Sequence, residues 1–283
     1  MIQPLILRNR VFDWGSRTYL MGVLNVTPDS FSDGGEFLGL EAAIAQAQRM
    51  VGAGVDIIDI GGQSTRPGAD AVTLEEEIHR VVPLIKQLRQ QSQQLAQIPI
   101  SIDTTRTKVA EAAIKAGADL INDISGATFD PTMLSIVAQL RVPIILMHIR
   151  GTPKTMQTLT DYQDLIAEIT QFLTHRAAAS QQAGIEPSHI ILDPGIGFAK
   201  TYQQNLTILR ELPQLRALDY PLLVGVSRKS FIGHILNQPN PKARVWGTAA
   251  ACTAAIANGA DILRVHDVEE MYDVCRVADA IYR

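Results

Sequence analysis

Eight short apolar runs, most of them ending at or near a polar side chain, constrain the fold of this 283-residue chain more than any other feature. They are rich in Val, Ile and Leu, and they lie at 19–24, 57–60, 98–102, 120–121, 142–147, 190–192, 222–226 and 262–265. Continuous apolar runs are typical of parallel strands that are buried on both faces. Because ligands of α/β proteins bind at the carboxyl ends of such strands, this one pattern predicts both a fold and the location of a site.

Segments with helical periodicity separate the apolar runs. Thr73, followed three residues later by a glutamate, predicts a capped helix start, and Pro83 predicts a kink or a new start within that helix. Thr160 and Gln163 have the same capping spacing and predict a second long helix, which we expect to end at Gly184. Shorter helices are expected at 40–53, 106–116, 131–140, 202–211, 243–258 and 268–282.

A weak internal repeat supports this alternation of helices and strands. The sequences AGVDII, AGADLI and NGADIL occur at 53–58, 116–121 and 258–263. In each, a helix is expected to end at the glycine, a small residue and an aspartate to form the turn, and an apolar strand to follow. Such αβ junctions are not typical of an all-α or an all-β chain.

Eight strands with interleaved helices match a (β/α)8 barrel, a TIM barrel, which typically needs roughly 250 residues. The alternative is a doubly wound open sheet, which usually has fewer strands for a chain of this length. Residues 4–18 precede the first predicted strand, and we expect them to form a short N-terminal β-hairpin that covers the bottom of the barrel. No linker divides the sequence, so residues 1–283 are expected to form a single domain.

Composition excludes several classes of partner. The net charge is −4 and no Lys/Arg-rich run occurs, which argues against a nucleic-acid surface. Cys252 and Cys275 lack CxxC spacing, so neither a disulfide framework nor a zinc site is expected. The apolar stretch at the N-terminus is too short for a signal peptide, and no run approaches the roughly 20 apolar residues that span a bilayer. We therefore expect a cytoplasmic protein with small-molecule partners.

Three loops after the predicted strands 1, 2 and 6 are rich in Gly, Pro and small polar residues. They lie at 25–35, 61–68 and 193–200. Any one of them could simply be a turn, because these residue types form turns in all folds. Their occurrence after three strands of one predicted barrel favours loops that cover a pocket.

Asp103, Asn122 and Asp193 each follow a strand-like run. Two carboxylates and an amide at one rim suit a flat heterocycle with an amidine-like N–C–NH₂ edge, because a carboxylate can accept two parallel N–H bonds. The alternative is that these side chains cap the following helices, above all Asp103, which two threonines and an arginine follow.

Basic residues follow the last two predicted strands. Ser227-Arg228-Lys229-Ser230 comes after strand 7, and Arg264 and His266 lie at the end of strand 8. Barrels often bind phosphate after these two strands, so an anion site is favoured over isolated surface charges. His148, at the end of strand 5, either lines the pocket or packs within the fold, and no histidine spacing suggests a metal site.

At this point the sequence resembles the dihydropteroate synthase family. The motifs that carry the resemblance are LMGVLNVTPDSFSDGG (20–35), GGQSTRPGA (61–69), SIDT (101–104), INDISG (121–126), LMHIRGTPKTMQ (146–157), DPGIGFAK (193–200), VGVSRKSFIG (224–233) and RVHDV (264–268). Eight motifs in the family order cover most of the chain. One minor departure is Gln63, where the family commonly has glutamate.

The resemblance implies a (β/α)8 barrel that joins 6-hydroxymethyl-7,8-dihydropterin diphosphate to 4-aminobenzoate, with Mg²⁺ as cofactor and a homodimer formed through the late helices. Two other classes remain as alternatives: the pterin-binding barrel of a methyltransferase that serves a corrinoid protein, and a non-catalytic pterin-binding scaffold. The SerThrArgPro sequence at 64–67 and the basic residues at 264–266 argue against both.

The resemblance also implies a role for each matched residue. The pterin is expected to contact Asp103, Asn122, Asp193 and Lys229, with Met147 beneath its ring. Asn25 is expected to bind Mg²⁺ on the diphosphate, whose oxygens would contact Arg264 and His266. The aminobenzoate pocket is expected to comprise Thr65, Pro67, Phe198 and Ser230. The residues expected to act in catalysis are Asp103, Lys229, Asp33 and Arg66, the last two on loops that close over the reactants.

Overall fold

The strands and helices alternate as the periodicity of the sequence predicts. The computed structural model describes residues 2–26, 35–64, 68 and 72–283. Its strands are β1 (Leu5–Leu7), β2 (Arg10–Phe12), β3 (Tyr19–Asn25), β4 (Ile57–Gly61), β5 (Ile100–Asp103), β6 (Leu120–Asp123), β7 (Ile144–Met147), β8 (Ile190–Asp193), β9 (Leu223–Val224) and β10 (Ile262–Val265). Its α-helices are α1 (Gly35–Gly52), α2 (Leu74–Gln90), α3 (Gln93–Gln97), α4 (Thr107–Ala116), α5 (Met133–Leu140), α6 (Leu165–Gln182), α7 (Tyr202–Arg210), α8 (Leu212–Arg216), α9 (Ser230–Ile235), α10 (Val245–Ala257) and α11 (Val268–Tyr282).

The eight predicted runs form one parallel sheet, in the order β8-β7-β6-β5-β4-β3-β10-β9. A parallel bridge between Leu192 and Leu222 joins the two outer strands, and the Leu192 amide donates to the Pro221 carbonyl at 2.9 Å. The sheet therefore closes into the predicted (β/α)8 barrel, and the open-sheet alternative is wrong. Three strands start later than predicted. Strand β9 starts at Leu223 rather than at 222, and β5 and β7 start directly after Pro99 and Pro143, since proline has no N–H for the strand ladder.

The predicted hairpin is present at the amino-terminal end of the barrel. Strand β1 pairs antiparallel with β2, and Leu5 lies opposite Phe12. Leu5, Leu7 and Phe12 are buried in a cluster with Trp14 and with residues from the starts of the barrel strands. The cluster closes the bottom of the barrel, which leaves the opposite end, at the carboxyl ends of the strands, for a site.

The repeated αβ junctions each clamp one barrel strand to its neighbour. The aspartate of each repeat accepts, through its side chain, the N–H of a residue at the start of the preceding strand, and the same residue's carbonyl accepts the aspartate's N–H. The pairs are Asp56 with Leu20, Asp119 with Ile100 and Asp261 with Leu222, at 2.8–2.9 Å for the side-chain bonds. An arginine pairs with each aspartate, namely Arg17, Arg89 and Arg216. Each repeat therefore joins one barrel strand to the next.

The longer helices lie where the periodicity predicts them, but α1 begins five residues before the predicted segment at 40–53, and the short helices α3 and α8 were not predicted. The capping signals predicted at Thr73 and Thr160 have different outcomes. Thr73 caps α2 by accepting the Glu76 amide, as predicted, but the helix continues through Pro83 without a new start. The capping box at Thr160 and Gln163 is wrong. Helix α6 begins later because Asp164 caps it by accepting the Ala167 amide at 3.0 Å.

Candidate active site

The barrel opens at the carboxyl ends of its strands into a cavity of about 900 Å³. All ten predicted site residues whose positions are described contribute to its lining: Asn25, Asp103, Asn122, Met147, Asp193, Phe198, Lys229, Ser230, Arg264 and His266. The other four, Asp33, Thr65, Arg66 and Pro67, lie outside the described residues. Strands far apart in the sequence therefore bring the predicted set to one place.

One wall of the cavity consists of acids and an amide at adjacent strand ends. Asp103 ends β5 and lies in register with Asn122 of β6, while Asp193 ends β8 and lies in register with Met147 of β7. All four side chains are buried. Since parallel strands end at the same rim, hydrogen-bonding groups from β5, β6 and β8, together with the Met147 side chain of β7, line a single ligand-sized space.

Asp103 does not cap the following helix. Arg106 precedes α4, and its side chain makes no capping hydrogen bond. The Asp103 carboxylate instead accepts a hydrogen bond from Nη2 of Arg264 at 2.7 Å. Burial raises the pKa of Asp103, the Arg264 cation counteracts this rise, and the neighbouring carboxylate of Asp59 adds to it. The ion pair with Arg264 therefore favours the charged form of Asp103, and burial opposes it.

Lys229 and Asp193 have pKa values that burial moves towards each other. Desolvation lowers the pKa of Lys229 to about 8, and burial raises the pKa of Asp193 to about 6. The Lys229 ammonium lies 4.3 Å from the centre of the Phe198 ring. Perturbed pKa values of titratable groups that face one cavity are typical of functional sites.

Arg228 holds the turn that presents Lys229, rather than contributing a free cation to an anion site. Its backbone is left-handed, with φ of 60°, which is strained for a residue with a side chain. Three contacts stabilise the turn: the guanidinium pairs with Asp267, the amide donates to Thr248 Oγ1 at 3.1 Å, and the carbonyl accepts from Arg244 at 2.9 Å.

Lys200 is a buried cation at the end of the DPGIGFAK motif and is not among the predicted site residues. Its Nζ donates to the Phe198 carbonyl at 2.8 Å and lies 3.0 Å from Nδ1 of His148. Burial lowers the pKa of Lys200 to about 7, and burial together with the Lys200 cation lowers the pKa of His148 to about 2. His148 is thus a packed, supporting histidine, and the pair joins the loops after β7 and β8.

His266 is also neutral in this setting, because burial lowers its pKa to about 3. Its amide donates to Oγ of Ser227 at 3.1 Å, and its Nδ1 lies 3.0 Å from the same oxygen. Ser230 is exposed at the first turn of α9. The far end of the cavity therefore carries an imidazole and a hydroxyl, with Arg264 and Lys229 as its nearby cations.

Asn25 is the last residue of β3 and lines the cavity. A Cβ atom at Gly61 would lie 3.4 Å from the Asn25 amide oxygen and 3.6 Å from Oδ2 of Asp103, so the two oxygens flank one glycine. Among the described residues, no group of three or more His, Cys, Asp or Glu side chains could hold a metal ion. A lone amide oxygen suits Mg²⁺ that arrives with substrate phosphates, because such Mg²⁺ keeps most ligands from water and phosphate.

A barrel with an acid–amide wall at the carboxyl ends of its strands is the architecture of a pterin-binding enzyme, and the sequence agrees with this class. Residues 21–266 match the family model described as pterin binding enzyme. Over 280 residues the chain is 62% identical to the dihydropteroate synthase of Synechocystis sp., covering 99% of this chain and 96% of that protein.

Two solved structures agree with this match. The Xanthomonas albilineans dihydropteroate synthase with 4-aminobenzoic acid has a TM-score of 0.88 and 43% identity, covering 97% of this chain and 95% of that one. The Yersinia pestis enzyme in a sulfonamide drug complex has a TM-score of 0.90 and 43% identity, covering 99% of both chains. The chain belongs to the pterin-binding enzyme family and, within it, to the dihydropteroate synthases.

Within the part of the chain that the structure describes, no helix is both long enough and apolar enough to cross a bilayer.

Proposed function

We propose that this protein condenses 6-hydroxymethyl-7,8-dihydropterin diphosphate with 4-aminobenzoate, giving 7,8-dihydropteroate and pyrophosphate in folate biosynthesis. The observation that carries the proposal is that one cavity gathers every described residue of the predicted set. The 62% identity to the Synechocystis enzyme, over almost all of both chains, supports this reaction over a corrinoid methyltransferase or a scaffold.

The pterin is proposed to bind against the acid–amide wall. Asp103 and Asp193 would accept N–H bonds from the amidine-like edge of the ring, Asn122 would add an amide, and Lys229 would donate to a ring acceptor. Met147, only 3% exposed, would pack beneath the ring. As the C–O bond to diphosphate breaks, the carboxylate of Asp103 would stabilise the positive charge that develops on the pterin.

The diphosphate is proposed to lie between Asn25, Arg264 and His266. Asn25 would bind Mg²⁺, which, when bound, neutralises charge on the leaving diphosphate. Arg264 supplies a cation from β10, and the neutral His266 supplies a hydrogen bond rather than a charge. Nη2 of Arg264 donates to Asp103. Pterin binding at Asp103 would therefore free Nη2 to donate to the diphosphate.

The aminobenzoate is proposed to lie against Phe198, with its carboxylate near Ser230, and to contact Thr65 and Pro67. Asp33 and Arg66 are proposed to act from the loops that close over the reactants. An arylamine is already neutral and nucleophilic at pH 7, so its attack needs no strong general base. Positioning and electrostatics would then provide most of the rate.

We also propose a cytoplasmic homodimer formed through the late helices. Trp246, Ile235 and Ile281 are large apolar side chains on α10, α9 and α11 that are 77%, 53% and 66% exposed. Burial of such a surface against a second copy is favourable. Light scattering tests the proposal: the wild-type protein should have twice the chain mass, and Trp246→Glu should lower it. The two buried free thiols, Cys252 and Cys275, fit a reducing compartment.

The test of the reaction is direct. Protein, Mg²⁺, the pterin diphosphate and labelled 4-aminobenzoate are mixed, and labelled dihydropteroate is separated and counted. Product should form and should fall when a chelator removes the metal. Folded protein that forms no product with all components present would show that the proposed function is wrong. Product that is unaffected by the chelator would remove the magnesium proposal alone.

A further inference from the structure

Asp59 is a buried carboxylate in the interior of the barrel, one layer below the cavity. It is the third residue of β4, and its side chain is fully buried. Its neighbours in register are Val23 of β3 and Ser101 of β5, neither of which carries a charge. Burial of an unpaired carboxylate destabilises a fold, so the partners of Asp59 indicate its role.

One oxygen of Asp59 makes both of its hydrogen bonds. Oδ2 accepts from Nε of Arg264 at 2.6 Å and from Nδ2 of Asn122 at 3.1 Å. The other oxygen, Oδ1, is buried and has no hydrogen-bond partner among the described residues. Asp59 is therefore connected to two residues of the cavity lining while not lining the cavity itself.

We propose that Asp59 is a positioning residue for the condensation, acting through Asn122 and Arg264; this inference rests on the proposed function. Asn122 turns its amide nitrogen to Asp59, so its amide oxygen is the group left to accept a hydrogen bond elsewhere. The orientation of the Asn122 amide determines whether the acid–amide wall presents an oxygen, which can accept a hydrogen bond from a pterin N–H, or a nitrogen, which cannot. Asp59 thereby sets the hydrogen-bonding pattern of the wall.

Arg264 has two carboxylate partners with different roles. Nε pairs with Asp59, and Nη2 pairs with Asp103. Asp103 lines the cavity and has to exchange Arg264 for the pterin, whereas Asp59 lies below the cavity and retains its partner. Asp59 then holds the guanidinium through Nε while Nη2 loses its bond to Asp103.

The test compares two isosteric variants, Asp59→Asn and Asp123→Asn, in the full-length protein. Asp123 is the matched control. It is also fully buried in a barrel strand, and one of its oxygens has no hydrogen-bond partner among the described residues, but its other oxygen accepts hydrogen bonds from Ser125. Asp59→Asn should raise the Kd of 6-hydroxymethylpterin by about 10- to 100-fold, the ordinary worth of a hydrogen bond to a charged group. Asp123→Asn should change it by less than about 3-fold.

A comparable loss in both variants would overturn the inference, because it would show only that a buried carboxylate stabilises the fold. A Kd in Asp59→Asn that stays within about 2-fold of the wild-type value would overturn it as well. Wild-type turnover is measured in the same series, so a failure of the proposed function is recognised separately.

A double-mutant cycle distinguishes positioning from general stability. If Asp59 acts through Arg264 and Asn122, then Asp59→Asn should weaken pterin binding little further in proteins that already carry Arg264→Met and Asn122→Ala. If the fold-changes in Kd of the separate substitutions simply multiply in the combined variants, the inference is contradicted. Should Asp59→Asn alone fail to fold, the Asp59→Asn/Arg264→Met protein removes both charges together. Its Kd should then match that of Arg264→Met within about 3-fold.

Discussion

The ammonium group of Lys229 lies 4.3 Å from the centre of the Phe198 ring. The two residues reach this contact from different strands, since Lys229 follows β9 and Phe198 follows β8. Lys229 belongs to the proposed pterin wall and Phe198 to the proposed aminobenzoate pocket. The contact therefore joins the two substrate regions, and each residue should influence the binding of both substrates.

Replacement of Phe198 by leucine removes the aromatic face beneath Lys229 while it keeps an apolar side chain. Loss of a cation–π contact costs about 0.5 to 2 kcal/mol, so pterin affinity should fall about 2- to 30-fold. The KM for 4-aminobenzoate should rise as well. Calorimetric titration and steady-state kinetics measure the two effects, and Phe198→Tyr, which keeps a ring, should stay close to wild type. Equal affinities in the leucine and tyrosine variants would contradict the role of the ring.

Pterin affinity should decline on both sides of neutral pH, because Asp193 and Asp103 become protonated on the acid side and Lys229 loses its proton on the alkaline side. Burial raises the pKa of Asp193 to about 6, so below that pH the carboxyl is protonated and loses acceptor capacity. Desolvation lowers the pKa of Lys229 to about 8, so above that pH the amine becomes neutral and a weaker donor. Calorimetry from about pH 5 to pH 9 measures this profile. Lys229→Met should bind the pterin about 1 to 3 kcal/mol more weakly and lose the alkaline decline, and an unchanged decline would exclude Lys229 as its source.

Lys200→Met should loosen the loop that carries Phe198. The substitution removes the donor to the Phe198 carbonyl and the contact with His148 while filling a similar volume. The KM for 4-aminobenzoate should rise about 10-fold, the effect of losing one charge-assisted hydrogen bond. Lys108→Met, on a side chain that is 73% exposed and pairs with Glu111, is the control. A KM as low in Lys200→Met as in this control would show that the loop does not depend on Lys200.

Asp119→Ala should destabilise the barrel without changing its chemistry. The carboxylate accepts the Ile100 amide and pairs with Arg89 and Arg8, so its loss leaves a strand amide without its acceptor and two buried or half-buried guanidinium groups without their counter-charge. The free energy of unfolding should fall by about 2 to 4 kcal/mol, measured by urea denaturation, with kcat unchanged in folded protein. Asp161→Ala, whose partner is Arg150 and whose side chain is 90% exposed, should cost less than about 0.5 kcal/mol. Similar losses in the two variants would contradict the strand-clamp interpretation.

The sequence predicted the barrel because its signals are local. Apolar runs, glycine-ended helices and the three αβ junctions each depend on a few neighbouring residues, and the alternation of strands and helices then permits few topologies. The rim of polar residues was predictable for the same reason: once the strands are parallel, their carboxyl ends meet. Capping was less predictable, since Thr160 and Asp164 are both N-cap residue types. In the structure Asp164 caps α6, while the segment before it is bound to distant residues: the Thr160 carbonyl accepts from Gln204, and the Tyr162 hydroxyl donates to the Ala199 carbonyl.

Amino-acid order alone thus determined the strands, the end of the barrel that carries the site and the residues that reach it. The partners of those residues were decided only by tertiary structure. Asp59 and Arg264 are 205 residues apart, and they pair because β10 closes the ring beside β3, which in turn lies next to β4. Lys200 with His148, and Asp119 with Ile100, likewise meet through packing between strands. Strand propensity acts over a few residues, whereas an ion pair depends on how the whole barrel closes.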